Sequence, residues 1–278
     1  MHAEVFVCVL QWTVQVSSQA MLSIIFLSFA FIYQLSTTFG DNRLNYYDPK
    51  IELGVIQNWY NMVKSPLHDD TSMTQLDNEA KSMVGQKDRY MDKYLKRAKD
   101  LYRAKWKESS KCVSDLTRAE CLVVMMFTDE FYREYNQEST KRNWKPYRVY
   151  TTLLTSALKK LAKFDPIPKG KSLYRGVKFR PLQPTSERIF WKAFTSTSLN
   201  YEIAKQFAGR DGTVLEFKSP ASIVAGKVGT LTKFPQQEEV ILMPFEAFDV
   251  VPDGGQGFHF KTSKTQELLK RTFRLGKL

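Results

Sequence analysis

The chain changes hydrophobic period at one place, and that change limits the folds open to it. Upstream of Asp165-Pro-Ile-Pro-Lys-Gly170, Tyr150, Leu153, Leu154, Ala157, Leu158 and Leu161 recur at spacings of three, four and seven, the stripe of an amphipathic helix. Two prolines and a glycine then stop it, because proline donates no N–H and clashes with the preceding turn. Downstream, apolar residues gather into short runs rich in Val, Ile, Phe and Thr at 172–178, 192–199, 213–218, 222–228, 239–243 and 258–261. Gly, Pro or Asp separates them, as between strands. One short helix, Tyr201 to Ala208, interrupts the series. A helical half followed by a strand-rich half predicts an α+β fold.

The helical half carries further signals. Ile51 to Val63 has helical apolar spacing. Asp92 to Lys107 is charged, with Tyr94, Leu95, Ala98, Leu101 and Tyr102 on one side. Thr117-Arg-Ala-Glu120 is a capping box: the Thr side chain serves the first orphan N–H groups and Glu reaches back to the cap. It opens a helix through Leu122 to about Tyr135. With 278 residues, 43% of them hydrophobic, the chain can bury a real core. The expected organisation is a leader at 1–38 and one domain at 39–278. That domain is helical to 165 and strand-rich from 166 to 265, with a basic tail at 266–278.

Residues 21–33, MLSIIFLSFAFIY, form an apolar run as long as the core of a signal peptide, and Ser36-Thr37-Thr38 suits cleavage. Secretion is the expectation. The alternative is membrane anchoring by an uncleaved leader, because residues 5–33 together are long enough to span. The lack of an apolar tail argues against a glycosylphosphatidylinositol anchor. Net charge is +12; without residues 1–35, whose one charged side chain is Glu4, 41 basic and 28 acidic residues leave +13. Such a balance favours nucleotides, polyanions or anionic surfaces and names no function; no specific nucleic-acid partner is expected. Cys112 and Cys121 are close enough in sequence for a local disulfide if the compartment oxidises. With no CxxC, and with His68 and His259 in unrelated contexts, no metal site is expected.

Three polar fragments sit at strand edges: "LYRGV" with Arg175, "FTSTSL" with Ser196, Thr197 and Ser198, and "QQEEV" with Gln237, Glu238 and Glu239. Singly each has an ordinary reading as an exposed charge, a half-buried strand or a solvated turn. Their order carries the information. Arg in a first strand, Ser-Thr-Ser in a second and Gln-x-Glu before a fifth resembles the Arg-Ser-Glu group of mono-ADP-ribosyltransferases. "MFTDEFYREYNQ" (126–137), "YTTLLTSALKKL" (150–161) and "FPQQEEVILMPFEAFDV" (234–250) resemble the vertebrate ecto-enzymes. "STSLNYEIAKQFAGR" (196–210) is similar to the bacterial actin-modifying toxins of that superfamily.

The resemblance implies a core of two small sheets around an NAD cleft, with NAD as substrate, no metal and a protein acceptor. Cleaving the nicotinamide–ribose bond leaves a cation-like sugar. The leaving group is already cationic, so the site needs a held diphosphate, a fixed ribose and a negative charge near C1′. The planar fork of Arg175 suits the diphosphate, and Gly176 lets a ligand approach the backbone. Glu239 accepts from a ribose hydroxyl and stabilises the developing charge, held by Ser196. Phe207 is a candidate to stack on nicotinamide, or else a core side chain. Arg210 is a candidate diphosphate contact, or else an exposed loop residue.

Alternation along 237, 239 and 241 puts Gln237 beside Glu239, facing the acceptor with Phe234, and turns Glu238 away. Arginine-modifying relatives carry Glu where this chain has Gln237, and an amide cannot act as a base. An NAD glycohydrolase is therefore the alternative, and a non-catalytic basic binding module the alternative of another class. The two disulfides of the ecto-enzymes are also unmatched here: Leu53-Gly54-Val55 and "KSPAS" (218–222) hold no cysteine.

Overall fold

The computed structural model describes residues 46–47, 53–64, 67, 69–84, 90–107, 112–113, 115–181, 188–218, 223–252 and 258–262. The expected leader, with Cys8, the basic tail and His68 lie outside these residues. The helical half folds as α1 (Leu53–Val63), α2 (Asp69–Ser82), α3 (Met91–Trp106), α4 (Arg118–Met126), α5 (Tyr132–Thr140) and α6 (Arg148–Phe164). All six residues of the 150–161 stripe are buried. The capping box forms as expected: Glu120 N donates to Thr117 Oγ1 at 3.3 Å, and Thr117 N donates to Glu120 Oε2 at 2.8 Å. Glu120 also accepts from Ser156 Oγ and Lys160 Nζ on α6, so one buried carboxylate caps α4 and ties it to its neighbour. Cys112 and Cys121 are joined as a disulfide.

The expected single helix from 118 to 135 is broken. Phe127–Phe131 winds as a π-helical turn in which Asp129 (φ −104°, ψ 38°) and Glu130 (φ 82°, ψ −14°) leave helical geometry. The residues around the break, Phe127, Thr128 and Phe131, stay buried, so an apolar pattern cannot reveal the break.

The strand half comprises β1 (Tyr46–Tyr47), β2 (Leu173–Val177), β3 (Arg188–Trp191), β4 (Thr195–Ser198), β5 (Thr213–Lys218), β6 (Ala225–Lys227), β7 (Glu239–Leu242), β8 (Ala247–Pro252) and β9 (Phe258–Thr262), with α7 (Tyr201–Ala208) between β4 and β5. β1, β3 and β8 lie outside the runs expected to be strands. Only 195–198 of the 192–199 run is strand, because Phe194 turns away into the helical layer. The strands hydrogen-bond in the order β1-β3-β8-β9-β5-β2-β4-β7-β6, antiparallel except for β5 and β9. The two expected sheets are thus groups of six and three strands within one continuous order. They meet where β2 and β4 share a single register pair, Tyr174 with Ser198.

An aromatic cluster fixes the three-strand group against the helices. Phe194, just before β4, lies 5.7 Å from Tyr135 and 6.1 Å from Phe127. Phe245, after β7, lies 5.2 Å from Trp59. Because β4 and β7 are antiparallel and Thr195 pairs with Leu242, both rings pin the same end of the β4–β7 ladder, each aromatic pair worth about 0.5–1.5 kcal/mol beyond the area it hides. β7 is buried along its whole length between β4 and β6, as its unbroken apolar run requires.

Candidate active site

At the seam between β2 and β4 the sheet's own pairing almost lapses, and side chains replace it. Arg175, one residue beyond the single register pair, donates from Nη1 to the main-chain oxygen of Ser196 at 2.8 Å. Ser196 faces the same side of the sheet as Glu239, which lies diagonally across the β4–β7 ladder, two residues from the partner of Ser196. Side chains on such diagonals reach one another, and Ser196 Oγ donates to Glu239 Oε1 at 2.5 Å. The structure thus brings Arg175, Ser196 and Glu239 into one hydrogen-bonded chain, with Ser196 contributing its carbonyl to one partner and its hydroxyl to the other.

Glu239 is a carboxylate on a central strand and is 7% exposed. Burial pushes its pKa up to about 7, while the Ser196 hydrogen bond and the Arg175 charge pull it down. Desolvation outweighs both because the negative form has lost water on nearly every side. A buried carboxyl held near neutrality beside a guanidinium is the kind of group that functional sites retain at a cost to stability.

The turn before Glu239 departs from the expected alternation. Phe234 enters a short 3₁₀ turn, Pro235–Gln237, and Glu238 adopts a left-handed conformation at φ 47°. The strand begins only at Glu239, so period-two alternation does not extend back to Gln237. What fixes Gln237 is its main chain: its carbonyl accepts from Ser198 Oγ at 2.7 Å and its N–H donates to Phe234 O at 2.9 Å. Leu199 N donates to Glu238 O, which clips the same turn to the end of β4. Glu238 is exposed; Gln237 and Phe234 are half-buried.

Two other expectations change. The open space imagined beside Gly176 is filled by α7: a Cβ there would sit 2.0 Å from Ala204 O and 2.5 Å from Ala208 N. Glycine is needed for helix packing, and the close backbone approach is the helix's. Phe207 is on that helix, half-buried, with its own Cβ 2.9 Å from the same position, so it stands beside β2 next to Arg175. Arg210 is exposed in the turn between α7 and β5 and is not part of the hydrogen-bonded chain. Tyr132 was not singled out. It opens α5 after the π turn, is buried, and lies near Arg175; burial pushes its pKa up, and the Arg133 and Arg175 charges oppose that. Only the aromatic pair Phe131-Tyr132 in a charged stretch hinted at it. Among the described residues no group of three His, Cys, Asp or Glu could hold a metal ion.

Two curated relatives are similar over part of the chain. The GPI-linked NAD(P)(+)–arginine ADP-ribosyltransferase 1 of Oryctolagus cuniculus is 35% identical over 109 residues, and that of Homo sapiens 33% over 108. Each match covers 38% of this chain and 31% of the relative, so the chain spans about a third of their length. The crystal structure of the mono-ADP-ribosyltransferase ART2.2 superposes at a TM-score of 0.49 and 18% identity, covering 80% of this chain and 92% of that one. Over residues 61–263 the sequence matches the family model for NAD:arginine ADP-ribosyltransferase, and the chain belongs to that family.

Proposed function

We propose that the chain transfers ADP-ribose from NAD to an arginine of a protein acceptor, releasing nicotinamide. The observation that carries the reading is the chain Arg175–Ser196–Glu239 at the β2/β4 seam, in a member of this family. The planar fork of Arg175, whose Nη1 donates to Ser196 O, is suited to a diphosphate. Glu239, ionised, accepts from a ribose hydroxyl. When the C1′–N bond breaks, its electron pair leaves with nicotinamide, and the carboxylate faces the positive charge that grows on the sugar. The lone pair of the incoming nitrogen closes a new bond at C1′, and the proton of that nitrogen passes to solvent. The positive nicotinamide ring of bound NAD also favours the ionised form of Glu239, opposing the effect of burial.

Gln237 supports a second reading, in which water replaces the acceptor. An amide neither pairs ionically with a guanidinium nor removes its proton. Incubation with NAD, with and without agmatine, separates the outcomes. Transfer predicts ADP-ribosylated agmatine, and hydrolysis predicts free ADP-ribose alone. Absence of nicotinamide release from a folded protein would refute both and leave a non-catalytic binding module. The paired Cys112 and Cys121 and the GPI linkage in the relatives' names support action on the extracellular side, in secreted or anchored form.

A further inference from the structure

The π turn between α4 and α5 reaches toward the catalytic seam from two directions. Through Asp129 it holds the turn that precedes Glu239: Lys233 Nζ donates to Asp129 Oδ1 at 2.5 Å across 104 residues of sequence. Through Glu130 it meets Arg133 at 3.8 Å, and Arg133 Nε donates to Tyr132 OH at 3.0 Å, beside Arg175. Backbone strain sits at the same place, since Glu130 has φ 82° without being glycine. Such conformations persist only where the surroundings impose them, and π turns recur at functional sites.

The segment 232–238 is secured at both ends by other means. At its start Thr232 is buried, Phe234 N donates to Thr232 Oγ1, and Lys105 Nζ on α3 donates to Thr230 O and Thr232 O. At its end Ser198 and Leu199 hold Gln237 and Glu238. Between them Pro235 and Gln236 are exposed. Lys233, just before the turn, ties it to the helical layer through Asp129. Asp129 is 15% exposed and Lys233 37%, so a half-exposed cation reaches in to a largely buried carboxylate, whose other oxygen lies 3.8 Å from Arg97 on α3.

We propose that Asp129 and Lys233 form a positioning clamp. By fixing the turn that carries Phe234 and Gln237, the clamp sets how ADP-ribose divides between an organic acceptor and water. The proposal rests on the transferase reading above. Water needs no docking surface and attacks whether or not the turn is held, whereas a guanidinium must meet Phe234 and Gln237 in a fixed pose.

The test uses the full chain and the variants Lys233→Gln, Lys233→Arg, Asp129→Asn and the double Asp129→Asn/Lys233→Gln. Amide exchange at Gln237 and Glu238 should quicken about three- to tenfold in Lys233→Gln. The partition of ADP-ribose toward agmatine over water should fall by about the same factor, while nicotinamide release in water stays within about twofold of wild type. Lys233→Arg should restore the partition, and the double variant should be no worse than either single one. Unmoved exchange in Lys233→Gln overturns the clamp whatever the acceptor is. An unmoved partition where exchange has quickened overturns its role in acceptor choice. A wild type that releases no nicotinamide refutes the transferase reading and this one together; an active wild type with an unmoved variant refutes only the clamp.

Discussion

Replacing Glu239 by Gln should make the protein more stable at alkaline pH and nearly inactive. The carboxyl pKa is about 7, against 4.5 for the ordinary group, and this difference corresponds to about 3 kcal/mol. The sign follows from proton counting. Between pH 4.5 and 7 the folded protein holds a proton on Glu239 that the unfolded chain has lost, so stability falls as pH rises through this window. Above about pH 8 the whole cost is present; below about pH 4 it is absent. Glutamine keeps the shape and can still bond Ser196 Oγ, but carries no charge to desolvate. Thermal unfolding should therefore give similar midpoints for the two proteins at pH 4.5 and a variant higher by roughly 5–10 °C at pH 8.5. Nicotinamide release by the same variant should fall about 10²–10³-fold, and in wild type kcat/KM should rise with pH through about 7 as the carboxyl ionises. Equal midpoints at pH 8.5, or a less stable variant, would show that Arg175 and Ser196 fully offset the desolvation of Glu239. The argument from burial would then be wrong even if activity were lost.

Arg175→Lys should weaken NAD binding by at least about tenfold in calorimetry, because lysine keeps the charge but loses the planar two-pronged geometry of the guanidinium; an unchanged dissociation constant would remove Arg175 from that role. Gln237→Glu should raise the ratio of agmatine labelling to free ADP-ribose, since a guanidinium pairs with the new carboxylate and water does not. A wild type that already labels agmatine as well as the variant would move acceptor choice elsewhere, with Phe234 next. Gly176→Ala should destabilise by about 3 kcal/mol or more, because the clash is with the main chain of α7 at 2.0 Å and no rotamer relieves it; a denaturation midpoint equal to wild type would contradict the packing.

The sequence by itself determined what depends on neighbours along the chain. The 150–161 stripe, the Thr117–Glu120 box, the Tyr201–Ala208 helix and the Thr213–Lys218 strand follow from period and capping, which act over a few residues. The order of the Arg, Ser and Glu fragments also pointed to the family to which the chain belongs. Tertiary structure decided the rest, because the relevant partners are distant in sequence. Gly176 answers to α7 more than twenty residues later. The turn at Gln237 and Glu238 is shaped by Ser198 and Leu199 across the sheet, which overrides simple alternation. The break at Asp129 and Glu130 leaves no mark on the hydrophobic pattern, since the apolar residues on both sides remain buried. The pKa of Glu239 is likewise a property of the closed β4–β7–β6 ladder, which strips water from a side chain that in the isolated segment would be an ordinary acid.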